Sequence, residues 1–98
     1  MKVITHYAPP TPHDLEALKE SLQQTGRGMA SLAALAGDNQ WRKYTGGKQP
    51  RAVSVQMAFF IAARLELDEA QLEKVYARMS KIGCDLELGE ALGITQPA

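Results

Sequence analysis

The 98-residue chain has one cysteine, two histidines, one tryptophan and no net charge. A lone Cys84 closes no internal disulfide and has no partner cysteine at metal-ligand spacing, so the fold is expected to form without crosslink or metal, in a reducing compartment. His6 and His13 stand in a proline-rich opening stretch and at a helix start, which argues against a metal centre or a pH switch. No apolar run approaches the ~20 residues of a membrane-spanning helix, and MKVITHYAPPTP lacks the apolar stretch of a secretory signal. The expectation is a soluble cytoplasmic protein with no membrane partner. Paired carboxylates and a nucleophile beside a base are also missing, and Gly46-Gly47-Lys48 lacks the strand and preceding glycine of a P-loop. Neither catalysis nor a cofactor is expected. What the chain does have is 45% hydrophobic residues, enough for one core.

The neutral total hides a segregation of charge. Residues 1–20 sum to minus one, residues 21–65 to plus five with Asp38 as the sole acid, and residues 66–98 to minus four. A basic centre between acidic flanks is what a chain with one anion-facing surface produces.

Residues 1–12 read as an arm, because Pro9, Pro10 and Pro12 interrupt regular structure. A helical domain over 13–83 follows. Thr11 as cap, Pro12 at the first helical position and Asp14 as a capping-box acid start a first helix. Leu15, Leu18 and Leu22 give it an apolar face, and Gly26 is its expected end. Met29–Ala36 reads as a short second helix stopped by Gly37. A third, capped by Asp38 or Asn39, runs to Thr45. A fourth spans Val53–Leu65, with Val53, Met57, Ile61 and Leu65 at four-residue spacing. Asp68 with Gln71 caps a fifth, whose stripe is Leu72, Val75, Tyr76, Met79 and Ile82 and whose stop is Gly83. Met29, Met57 and Met79 are assigned to the core. Residues 84–98 form a tail whose conformation the pattern leaves open. The fold class expected is all-α, a bundle of about five short helices containing a helix-turn-helix.

The segment GDNQWRKYTGGKQPR, residues 37–51, crowds Arg42, Lys43, Lys48 and Arg51 around Trp41 and Tyr44. Three residues apart on a helix, the two aromatics share a face that suits a core better than a stacking platform. Packed inward, they leave Asn39, Gln40, Arg42 and Lys43 facing out. Asn and Gln pair bidentately with adenine, and Arg with guanine. Lys48 and Arg51 are placed to hold flanking phosphates, and Arg27 and Ser31 near the second helix to hold others.

Leu32-Ala33, Gly37, the aromatic-polar pair Tyr44-Thr45, Gly47-Lys48, Pro50 and a helix ending Ala-Arg-Leu-Glu-Leu resemble the lambda-repressor-like (Cro-type, XRE-like) helix-turn-helix DNA-binding family over about residues 13–67. The turn here is shortened relative to that family. The resemblance implies a sequence-specific regulator that binds double-stranded DNA, with Thr45 among the contact residues: a small repressor of the phage or mobile-element kind, acting as a dimer on a palindromic operator. Helix 68–82 and the 84–98 tail, apolar but not needed for a four-helix core, are the expected homodimer surface. The alternative is a protein-interaction module, antitoxin-like or an inhibitor, that binds a protein partner through its helical scaffold and acidic C-terminal third.

Overall fold

The computed structural model describes residues 1–89. Those residues form five helices and no strand: α1 (Pro12–Ser21), α2 (Gly26–Leu32), α3 (Asp38–Thr45), α4 (Val55–Glu66) and α5 (Glu69–Ile82). The all-α class holds. Residues 90–98, most of the expected dimer tail, lie outside the described residues, and 84–89 carry no regular structure.

Four of the five helices start on a side-chain cap. The Thr11 hydroxyl accepts from the Asp14 N–H at 3.0 Å while Asp14 accepts from the Thr11 N–H at 2.8 Å, and Asp68 with Gln71 repeats the box on α5. The Thr11 N–H, then its hydroxyl, hold the Asp14 carboxyl below the ordinary aspartate range. Thr25 caps α2 and Ser54 caps α4 through 3.0 Å bonds to Gly28 N and Met57 N. Neither Asp38 nor Asn39 caps α3. Its N-cap is Gly37, with no side-chain bond, and Asp38 is the first helical residue.

The helix ends fall elsewhere than glycine positions suggest. Gly26 opens α2 instead of closing α1, and α2 stops at Leu32, short of Ala36. Three helices close by one backbone device, in which the last carbonyls are satisfied by amides wrapped around a left-handed residue. On α1, Gln24 N–H donates to Lys19 O and Gln23 N–H to Glu20 O. On α2, Leu35 N–H donates to Ala30 O and Ala34 N–H to Ser31 O. On α5, Cys84 N–H donates to Met79 O and Gly83 N–H to Ser80 O. The left-handed positions are Gln23 (φ 53°), Ala34 (φ 58°) and Gly83 (φ 119°). Only the last is a glycine.

The core gathers Leu15 of α1, Met29, Ala30 and Leu32 of α2, Ala33 just after it, Trp41 of α3, Val53 in the loop before α4 and Ile61 of α4, with Leu18, Leu22, Leu35, Tyr44, Met57 and Leu65 packed around them. Val53 is buried one residue before the Ser54 cap, so α4 starts later than its apolar pattern. α3 lies against α2 and α1. Arg64 of α4 reaches back to α2, donating from Nη1 to Ser31 O at 2.8 Å and Leu32 O at 2.7 Å. A cation at those carbonyls also suits the negative end of the helix. The N-terminal arm is tethered through the Tyr7 hydroxyl, which donates to Val53 O at 2.7 Å and lies 3.3 Å from Ser54 O.

α5 is the exception to this packing. Leu72 is buried, but Val75 and Ile82 of the same stripe are 42% and 74% exposed, and Phe59 on α4 is 67% exposed. Met79 is half-buried and stands outside the main cluster.

Candidate nucleic-acid interface

α3 is eight residues long and turns its one large apolar side chain wholly inward: Trp41 is 1% exposed. Its indole N–H is buried with no hydrogen-bond partner, an arrangement tolerated where the ring's apolar burial outweighs one unmet donor. Tyr44, almost a turn later, is half-buried against the same cluster. These two anchors fix the rotation of α3 about its axis.

With the rotation fixed, one flank of α3 forms the floor of a concave cleft of about 820 Å³. Its other walls are α1, through Glu16 and Lys19, the start of α2 at Gly26, and the loop that follows Thr45. Five cationic side chains line it, Lys19, Arg42, Lys43, Lys48 and Arg51, against two carboxylates, Glu16 and Asp38. A concave surface with an excess of one charge concentrates the opposite charge.

The loop is shaped to return its cations to α3. Gly46 N–H donates to Arg42 O at 2.9 Å, ending the helix. Gly47 then takes φ +82°, a conformation that side-chain-bearing residues rarely adopt. The chain doubles back until Arg51 N–H donates to Lys43 O at 2.7 Å. The Arg51 guanidinium lies over the Tyr44 ring, 5.9 Å from its centroid. Lys48 is exposed between these fixed points.

Arg42 is held as well. Its Nε–H donates to Asp38 Oδ2 at 3.0 Å, and Nη2 reaches the same oxygen. The partners are one turn apart on α3, with side chains 68% and 37% exposed.

Of the nine residues expected at the interface, Asn39, Arg42, Lys43, Thr45, Lys48 and Arg51 line the cleft. Gln40, Arg27 and Ser31 do not. Gln40 lies on the opposite flank of α3 from Arg42, half-buried. Arg27 is exposed on α2, outside the cleft. Ser31 is half-buried, with its carbonyl committed to Arg64. Two contributors were not foreseen. Lys19 lies on α1, and nothing in its helical pattern says that this side faces α3. Asp38 acts through Arg42 instead of capping, a role signalled only by four-residue spacing between opposite charges.

Among the described residues no group of three or more His, Cys, Asp or Glu could hold a metal, and no helix is long and apolar enough to cross a membrane. No protein-family model, curated protein or solved structure matches the chain.

Proposed function

We propose that this protein binds double-stranded DNA sequence-specifically, with α2 and α3 as a helix-turn-helix and α3 as the reading helix. The observation that carries the reading is the cationic cleft along one flank of α3. Asn39, Arg42 and Lys43 offer there the amide and cationic donors that read base edges. Lys19, Lys48 and Arg51 stand around them as phosphate contacts, which set register without carrying sequence information. Arg27, outside the cleft, adds at most a peripheral phosphate contact.

The uncovered stripe of α5 supports a homodimer. Val75, Ile82 and the neighbouring helix's Phe59 are apolar side chains that a second copy would remove from water. Two reading helices one duplex turn apart would then engage a palindromic site and exclude polymerase, the action of a repressor. The same stripe favours a second reading, in which a different protein covers α5, as in an antitoxin.

Selection of bound duplexes from a random pool tests the first reading. The expected result is an enriched, palindromic site. Arg42→Ala should alter the preference at one position per half-site, and Lys48→Ala should weaken all duplexes alike and lower the slope of log affinity against log salt by about one. Affinity unchanged in both variants would remove the proposal.

A further inference from the structure

We propose that Asp38 is a positioning residue for Arg42, and that the absence of a side chain at Gly26 is what gives Asp38 its seat. The inference rests on the DNA-binding reading for its consequence, though not for its geometry. A guanidinium has five N–H donors in one plane. Arg42 directs the Nε edge of that plane at Asp38, with both Nε and Nη2 on Oδ2. The terminal edge, Nη1 and the second hydrogen of Nη2, is left for a ligand, and that edge matches guanine O6 and N7. The ion pair thus selects which edge of Arg42 is offered and fixes the plane in which it is offered. An exposed pair of this kind contributes little to folding, and its effect lies in binding, where a side chain already held in place has less freedom to lose.

The seat of Asp38 is provided by the neighbouring helix. A Cβ built on Gly26, the first residue of α2, falls 1.9 Å from Asp38 Oδ1 and 2.9 Å from its Cγ. Gly26 does not have a positive φ, so its backbone conformation does not demand glycine. The space does. The carboxylate lies against the bare Cα of α2 through one oxygen and against Arg42 through the other, so the position of α2 is transmitted to the Arg42 guanidinium.

The two substitutions that break this chain differ in charge. Asp38→Ala removes a carboxylate from a surface that faces phosphates, and Gly26→Ala alters no charge. Gly26→Ala displaces only the end of a flexible side chain and places a better helix former in α2, so it is expected to fold.

The test is site selection from a random 20-base-pair pool, then anisotropy titration on the selected and a scrambled duplex, with the Arg42 Nε–H resonance followed without DNA. In the native protein that resonance should be sharp and rigid, and in both variants it should become mobile. Asp38→Ala should lose roughly three- to tenfold of the preference at the position set by Arg42, the effect of one immobilised side chain, while its affinity for the scrambled duplex rises. Gly26→Ala should lose the same preference with scrambled-duplex affinity and salt slope unchanged, and the double variant should be no worse than Asp38→Ala. A preference that survives both single variants but not Arg42→Ala overturns the proposal, as does a mobile Arg42 resonance in the native protein. A native protein that enriches no site while the resonance behaves as expected removes the DNA reading and leaves the positioning role standing.

Discussion

Arg64 distinguishes a cation that supports the fold from one that meets a ligand. It belongs to the positively charged middle of the chain, yet its Nη1 is given to Ser31 O and Leu32 O at the end of α2, and the guanidinium lies 5.4 Å from the Phe60 ring centroid. Arg64→Met keeps an unbranched apolar stem of similar reach and deletes the donors. Hydrogen bonds to a charged group contribute about 1.5–3 kcal/mol each, and a partly buried cation at a helix C-terminus up to about 2 kcal/mol. These figures describe one contact and are not additive. Both bonds leave a single nitrogen of a half-buried side chain, and the freed carbonyls can take water, so a total of about 2 kcal/mol follows. In a domain of this size that lowers the thermal midpoint by about 8–16 °C. Circular-dichroism melts of the two proteins give the shift, and anisotropy titrations of one duplex over a salt series give the slope. The midpoint should fall and the slope stay put, because Arg64 does not line the cleft. A drop below about 3 °C, or a slope reduced by about one, would refute the assignment, the second outcome by making Arg64 a phosphate contact.

Ala34→Gly should raise the midpoint by about 2–6 °C, since relief of a left-handed alanine, about 1–2 kcal/mol, exceeds the added freedom of the unfolded chain, about 0.4–1 kcal/mol; a lowered midpoint counts against the strained closure of α2. Asp14 has its folded pKa lowered, so its contribution to stability is present above the ordinary aspartate value and lost as pH falls through the lowered one. Asp14→Asn should therefore melt below the native protein at neutral pH, with the gap closing as pH falls below the ordinary aspartate value; a gap independent of pH would contradict this. Val75→Asp with Ile82→Asp should convert a dimer to a monomer in sedimentation equilibrium without loss of helix, and equal masses would exclude α5 as the dimer surface. Asn39→Ala should change the base preference and Gln40→Ala should not; the reverse result would place the opposite flank of α3 on the DNA.

Where a side chain itself makes the boundary, the sequence announces it. Thr11-Pro12-His13-Asp14 and Asp68 with Gln71 are capping boxes in the chain and in the fold, and Trp41 with Tyr44 reads as an inward face and is one. Where the backbone makes the boundary, residue identity says little. The closures of α1 and α2 are amide-to-carbonyl bonds that any residue can form if it accepts a left-handed φ, and here Gln23 and Ala34 accept it. Reading glycines as stops then assigns Gly26 and Gly37 to helix ends, although both occur where helices begin. The ion pair of Asp38 was obscured for a related reason, since an acid after a glycine is the usual mark of a cap. Lys19 needed tertiary packing to become part of the site.

The same distinction explains why the cleft is one-sided. Treating α3 as a two-faced cylinder, aromatic inside and polar outside, makes Gln40 and Arg42 equivalent. They are separated by about 160° around the axis, and α1 and the loop rise on only one of those sides. Arg51 is bonded to Lys43 O and stacked on Tyr44, so the loop cannot swing to the Gln40 side without giving up both contacts. The aromatic anchors therefore decide more than which residues avoid water. By fixing the rotation of α3 they bring Arg42 against Asp38, place Asp38 over the bare Cα of Gly26, and leave Lys19 of α1 lining the same cleft as Asn39, Lys43, Lys48 and Arg51. Six of the nine residues read from sequence share that face because each lies within one turn of the Arg42 flank or on the loop tied to it. Of the three that do not share it, Gln40 lies on the other flank of α3, and Arg27 and Ser31 lie on α2, which borders the cleft only at Gly26.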